Sequence, residues 1–425
     1  MKLTRSRSGC YAVVAVTVAL AYANALSAKF QFDDWNVIVD QPKVHSIAAW
    51  WVSMPGIRPL LKLSYALNYT ISPSPILFHL ENVGIHAANA CLIFALLAKR
   101  TTRGIALTTA LIFALHPVQT EAVTYVTGRS SSLSALFVLS TLKFLTVNSW
   151  LPPVLFACAI LVKETAVMAI VPIVRLKRGP SPFLVVAGAA VMAIASPMYR
   201  HLLNVSLETR GIGANLMTQA HAIVYLMGQL VRFDRLNADP ALPAVTAWSW
   251  TVAGEALLIV ACIALGCVLL EKRPEIAYGI LWFFLWLVPT NSLLPRLDVV
   301  NDRQLYLALA GPAFLAAYGL GALAKKRAAL AVTATIVLCA VLATATHLRN
   351  RVYADEITFW NDVVAKSPRN PRGFNNLGYV LAQHDRDVEA DAALSRALEL
   401  DPGYVRAAVN LKLLRAGELQ KRRAR

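Results

Sequence analysis

Apolar residues come in runs close to bilayer length, separated by short polar turns, along most of the chain. A membrane-spanning helix needs about 20 such residues. On that pattern, spans are expected near 10–28, 76–98, 104–118, 131–147, 150–162, 165–175, 181–199, 251–270, 277–292, 304–324 and 328–346, about eleven in all. Two of them, 150–162 and 165–175, are too short to cross alone at about 1.5 Å per residue. They are expected to be tilted halves meeting at Lys163-Glu164 in a water-filled cavity. The stretch 200–250 is ambiguous, and its middle, Asn215 to Val231, is read as interfacial or re-entrant.

After Ala345 the pattern turns charged and amphipathic. Pro368 and Pro402 stand 34 residues apart, as do Asn376-Leu377 and Asn410-Leu411. That is the tetratricopeptide period. Leu377, Gly378, Leu381, Ala390, Leu394, Ala397 and Pro402 fall at its signature positions, with Gly378 and Ala390 small enough for two helices to approach. The fold expected is therefore all-α: a polytopic membrane helix bundle over 1–346 and a short repeat domain over 347–425. Such a repeat either caps the bundle or offers a concave face to a protein partner or acceptor.

Composition agrees. Hydrophobic residues make up 57% of the chain and charged ones 15%, against about 25% charged in a soluble domain. The formal charge of +17 resides in clusters between apolar runs, such as Lys2/Arg5/Arg7, Lys99/Arg100/Arg103, Arg175/Lys177/Arg178, Lys272/Arg273 and Lys325/Lys326/Arg327. This is the placement of cytoplasmic loops, so topology accounts for the charge and nucleic-acid binding is not expected. With the N-terminus inside, the acidic loop 29–75, the turn 116–129, the loop 289–303 and the repeat all face the extracytoplasmic side of an inner or plasma membrane. No small-residue cleavage site follows the first run, which reads as a retained helix rather than a signal peptide. The six cysteines lie in apolar segments, without CxxC or histidine at ligand spacing. They read as small buried hydrophobes.

Ionisable residues at membrane depth are functional candidates by default. Here they are Asp33, Asp34, Arg58, Glu81, His86, His116, Glu121, Arg129, Lys163, Glu164, Asp302 and Arg303, nearly all on the outer face. Bland readings exist: Lys163-Glu164 as a self-neutralising pair, His86 as a hydrogen-bonded group inside the bundle. Together, cations suit a phosphate and a carboxylate suits removal of a hydroxyl proton. A lipid-linked phosphosugar would supply that phosphate at the membrane surface. Adjacent Asp33 and Asp34 repel, which raises one pKa and favours unlike roles. In an extended loop their side chains would also diverge.

The segments FQFDDWNVIVDQPKV, RPLLKLSYALNY, FHLENVGIHAANACLIFAL, HPVQTEAVTYVTGRSSSLSALF, LVKETAV, WFFLWLVPTNSLLP, NDRQLYLALAG and NNLGYVLAQ resemble, in order and spacing, the membrane proteins that join O-mannosyltransferase domains to tetratricopeptide repeats. The resemblance runs over essentially the whole chain. It implies the GT-C class of inverting glycosyltransferases, which use polyprenyl-phosphate sugars. It also implies Asp33 as catalytic base beside Asp34, and Lys163 and Arg303 as donor-phosphate contacts. Arg58, His116, Glu121, Arg129 and Glu164 are further site candidates. Where the family often has an acid after the Gly-Arg of the second loop, this chain has Gly128-Arg129-Ser130-Ser131. Eukaryotic members carry many more repeats, so the short repeat region reads as bacterial.

The function expected is transfer of a sugar, most simply mannose, from polyprenyl phosphate to Ser or Thr hydroxyls of exported proteins. The partners are that lipid-linked donor, a protein acceptor held by the repeat, and membrane lipid. No cofactor is expected, for there is no nucleotide-binding loop and no His/Cys metal cluster; metal binding by carboxylates stays open. The rivals are the same enzyme class acting on a glycan or lipid, and a non-enzymatic scaffold that recruits partners through the repeat.

Overall fold

The computed structural model describes residues 2–419 apart from 54–55, 148, 177–182, 184–185, 190–200, 202–203, 206–207, 209, 293–294 and 297, with side chains from residue 8 onward. Among the described residues the chain is all helical, without a strand.

The apolar runs become helices close to where the pattern places them: Lys2–Ala21, Pro75–Leu97, Arg103–Leu115, Arg129–Phe144, Leu151–Val162, Trp250–Lys272, Pro274–Leu287, Ala310–Ala324 and Ala328–Asn350. The ambiguous middle of 200–250 is also a helix, Ile212–Gln229. The expected span 181–199 and the basic pair Lys177-Arg178 lie outside the described residues.

The count of eleven spans needs correction. Among the described residues three helices are long and apolar enough to cross a bilayer: Pro75–Leu97, Trp250–Lys272 and the continuous segment Ala328–Tyr353. A fourth is added if Asp302–Ala308 and Ala310–Ala324, bent by 54°, form one broken span. The reason is length. Arg103–Leu115, Leu151–Val162 and Pro274–Leu287 are apolar but have only 10–17 residues. Arg103–Leu115 stops before His116-Pro117, where the proline ring disfavours helical backbone at the residue before it. Leu151–Val162 stops at Lys163, whose backbone is extended. The run expected at 165–175 divides into a tight helical segment, Glu164–Ala169, and a short helix, Ile170–Leu176.

One apolar core joins the bundle helices, with Phe94, Phe113, Phe156, Leu287, Leu305 and Tyr306 inside it. His86 belongs to this interior. One of its ring nitrogens lies 2.8 Å from the Tyr306 hydroxyl, which also accepts from Asn89 Nδ2 at 2.9 Å. A second cluster contains Tyr125 from the bundle with Tyr353, Phe359, Trp360, Val363, Leu377 and Leu381, and Phe32 packs against it.

The C-terminal segment forms the helices Glu356–Lys366, Pro371–Gln383, Asp387–Leu400 and Val405–Arg415. Gly378 permits the closest contact between them. A Cβ there would lie 2.7 Å from Leu394 Cγ and 3.0 Å from the Ala390 carbonyl oxygen. The array is bound to the bundle by polar contacts as well. Asn237 Nδ2 donates to Ser367 Oγ at 2.8 Å and Lys366 Nζ to the Leu236 carbonyl at 2.8 Å, while Gln31 Nε2 donates to the Tyr353 carbonyl just before the array at 3.1 Å.

Candidate active site on the loop-bearing face

The site is built from loops that follow helix ends. Residues 31–34 make a tight turn that enters helical backbone at Asp33, with the Asp34 N–H donating to the Gln31 carbonyl at 2.8 Å, and a wide helical turn, Trp35–Val39, follows. The extended backbone expected here is absent, but successive helical positions point about 100° apart, so the two aspartates still diverge. Phe32 has a φ of 42°. That left-handed conformation costs a bulky residue about 1–3 kcal/mol, and the Phe32 ring is held edge-on against Trp360 of the array at 5.1 Å.

Asp34 is fully enclosed. Its Oδ2 accepts from the Gln31 N–H at 2.9 Å and its Oδ1 from the Thr127 N–H at 2.8 Å. Asp33 is half-buried, and its N–H donates to the Tyr125 hydroxyl at 3.0 Å. Burial raises both carboxyls. Asp33 is drawn back by the Arg303 charge and the Tyr125 hydroxyl. Asp34 is pushed up to about 7 despite its two N–H donors.

Arg303 is fixed by Glu121. The Arg303 N–H donates to Glu121 Oε2 at 3.0 Å, Nη1 lies 3.4 Å from Oε1, and the guanidinium sits 5.7 Å from the Tyr125 ring centre. Glu121 reaches this position because the next loop folds tightly over it at Gly128, where a Cβ would stand 2.1 Å from the Glu121 carbonyl oxygen. Asp302 braces the same turn from the other side. It accepts from Gln229 Nε2 at 3.3 Å and from the Asn237 N–H at 3.1 Å.

Lys163 and Glu164 do not neutralise each other. Glu164 pairs with Arg58 through two bonds, at 2.9 Å from Nε and 2.6 Å from Nη2. Lys163 Nζ instead donates to Ser131 Oγ at 2.8 Å. Burial pushes the Lys163 ammonium well down, and the charges of Arg58, Arg296 and Arg303 push it further. An arriving anion would reverse that and draw the proton back. Asp33, Arg58, Lys163, Glu164 and Arg303 thus share one electrostatic neighbourhood.

Two of the sequence candidates are engaged elsewhere. Arg129 is fully buried. It donates to Asn82 Oδ1 and Asn68 Oδ1, both at 2.6 Å, to Glu81 Oε2 at 3.1 Å and to the Phe78 carbonyl at 3.0 Å, and it packs over the Tyr65 ring. It joins three helices. His116 uses both ring nitrogens, one accepting from the Val118 N–H at 3.2 Å and the other 3.0 Å from the Leu230 carbonyl.

Sequence reasoning missed Arg296, Asp298 and Arg372. Arg372, in the array, donates from Nη1 to Asp298 at 2.9 Å and from Nε to Asp239 at 2.8 Å, with Nη2 also on Asp239. Burial alone would raise the Asp298 carboxyl, but Arg372 holds it below the usual range. Arg372 and Phe359 line one small pocket together with Phe32, Tyr125, Asp298 and Arg303. The signal for Arg296 was present. It is an arginine in the loop 289–303, which the sequence pattern expects on the outer face, where the positive-inside rule disfavours basic residues. Among the described residues, no group of three or more His, Cys, Asp and Glu side chains is arranged around a metal position.

No family profile matches the chain, and no solved structure does. Among characterised proteins it is 24% identical to protein O-mannosyl-transferase TMTC1 of Homo sapiens over 96% of its own length, and 25% identical to protein O-mannosyl-transferase TMTC4 of Homo sapiens over 89%. It is also 24% identical over 91% of its length to protein O-mannosyl-transferase F38B6.6 of Caenorhabditis elegans. The chain spans 57% of the length of TMTC1, 64% of TMTC4 and 62% of F38B6.6. All three align with most of this chain at 24–25% identity, and each is a protein O-mannosyl-transferase.

Proposed function

We propose that the protein is a membrane glycosyltransferase of the GT-C type, moving mannose from a polyprenyl-phosphate donor to Ser or Thr hydroxyls of exported proteins with inversion. The observation that carries this reading is a half-buried carboxylate, Asp33, standing in the field of an Arg303 that Glu121 holds, together with a Lys163 that has no carboxylate within ion-pairing distance among the described residues. The relatives are protein O-mannosyl-transferases, which supports the reaction class and a protein acceptor. In this mechanism Asp33 takes the proton of the attacking hydroxyl, while Lys163 and Arg303 stabilise the phosphate that leaves. Arg58 and Glu164 hold the Lys163 turn, Glu121 holds Arg303, and Asp34 holds the backbone that carries Asp33. The active face and the helical array, taken as a tetratricopeptide repeat that presents the acceptor, lie on the extracytoplasmic side, with the N-terminus inside.

Reconstitution tests the whole reading. The full chain in lipid nanodiscs, given mannosyl-phosphoryl polyprenol and Ser/Thr-rich peptides, should yield O-mannosylated peptide. Transfer to a glycan or lipid but never to peptide would replace the acceptor class. Absence of transfer from any polyprenyl-phosphate sugar to any of the three would leave the scaffold reading.

A further inference from the structure

Four cations, Arg58, Lys163, Arg296 and Arg303, sense one another's charge in this site. Two are compensated, Arg58 by Glu164 and Arg303 by Glu121. Among the described residues no carboxylate comes within ion-pairing distance of Lys163 or Arg296. Arg296 is the less explained of the two. Arg210 Nη2 donates to its carbonyl at 2.9 Å, and Asn215 in turn holds Arg210 at 3.1 Å. The backbone is pinned, yet among the described residues the half-buried guanidinium has no hydrogen-bond partner. A cation partly removed from water and left unpaired gains from an anion that completes it.

We propose that Arg296, together with Lys163, receives the charge that develops on the leaving phosphate, which makes it a catalytic residue of the transfer proposed above. The charge count motivates this. The donor is a phosphodiester with one negative charge. As the acceptor oxygen bonds to the anomeric carbon, the bond from that carbon to the phosphate oxygen breaks. Its electron pair stays on the phosphate, and the hydroxyl proton goes to Asp33. The product is a monoester with about −1.5 to −2 charges at pH 7. Two uncompensated cations match that product better than they match the donor. Interactions stronger in the transition state than in the ground state are the ones that accelerate a reaction.

The inference rests on the glycosyltransferase reading, so its test measures binding rather than turnover. The full-length protein in detergent is titrated at pH 8 with farnesyl phosphate, a monoester, and with its methyl diester. Wild type should bind the monoester more tightly. Arg296→Gln should lose about ten- to 150-fold on the monoester, the worth of a charge-assisted hydrogen bond, and much less on the diester. Arg296→Lys should keep most of the monoester preference. Equal losses on both ligands, or an unchanged preference in folded Arg296→Gln, would overturn the proposal. So would a wild type that prefers neither ligand, a comparison that needs no variant. If the preference behaves as stated but no sugar is ever transferred, the anion site stands and the glycosyltransferase reading falls.

Discussion

Asp33 and Asp34 are neighbours in sequence, but their carboxylates occupy opposite environments. Asp34 is enclosed and bonded to the backbone N–H groups of Gln31 and Thr127. Asp33 is half-buried and stands in the field of Arg303, with its own N–H on the Tyr125 hydroxyl. One acid fixes where the loop lies; the other keeps part of its surface exposed.

Asp33→Asn keeps the side-chain size and removes the base. Transfer should fall by about 10²–10⁴-fold while the donor still binds. Initial rates and donor titration on matched membranes check this, and a wild-type rate would dismiss Asp33 as the base.

Asp34 should report itself through pH. Its folded carboxyl holds a proton up to about 7, whereas in an unfolded chain an aspartate releases it near about 4. The folded state therefore binds more protons between those values, so stability falls as pH rises from about 4 to about 7 and levels off above. Asp34→Asn should flatten that fall, because its side chain cannot ionise. Thermal unfolding in detergent from pH 5 to 8 would show it; an identical slope in the variant would assign the effect elsewhere.

Lys163→Ala and Arg303→Ala should each weaken donor use by about ten- to 150-fold, the worth of one charge-assisted contact. Only Arg303→Ala should also lower the melting temperature, because it strands the buried Glu121. Donor kinetics read beside melting curves separate the two. Unchanged kinetics in both variants would remove these cations from the phosphate site.

Arg372 joins Asp239 and Asp298 across the boundary between array and bundle. Arg372→Ala should destabilise by about 1–3 kcal/mol, because the Asp239 carboxylate would keep only the Asn370 amide as a partner, and should open the 236–242 segment to protease. Limited proteolysis with melting curves measures this, and an unaltered digestion pattern would mean that the apolar contacts suffice.

Exposed Asn36 and Val388 should lie on the same side of the membrane, opposite Arg100. Cysteine introduced at Asn36 or Val388 should react with an impermeant maleimide added from outside, and cysteine at Arg100 only after permeabilisation. The reverse labelling would invert the proposed topology.

Several helix positions were legible from hydropathy to within a few residues, as Pro75–Leu97 and Trp250–Lys272 illustrate, whereas the run expected at 10–28 is the earlier helix Lys2–Ala21. Helix lengths were less so. The stop before His116-Pro117 and the extended backbone at Lys163 divide runs that composition alone leaves whole. Adjacency of Asp33 and Asp34 was expected to raise one of the two carboxyls by repulsion, but both are raised, and burial is the leading cause in each. The role of Arg129 could not be read, because its partners are scattered over positions 64, 68, 78, 81 and 82 and meet only when helices pack. Arg372 was hidden for a similar reason, since its two aspartates precede it by 133 and 74 residues.

The commitment of Trp360 and Arg372 to the bundle also gives the helical array a direction. Its first helices are fixed by Phe32, Asp239 and Asp298, while Val405 and Val409 on the helix Val405–Arg415 remain exposed. Repeats inserted ahead of Trp360 would pull the Phe32 loop apart, whereas units stacked beyond that last helix would leave the loop untouched. Within such an architecture, the array can be lengthened at its outer end without disturbing the loop that carries Asp33 and Asp34.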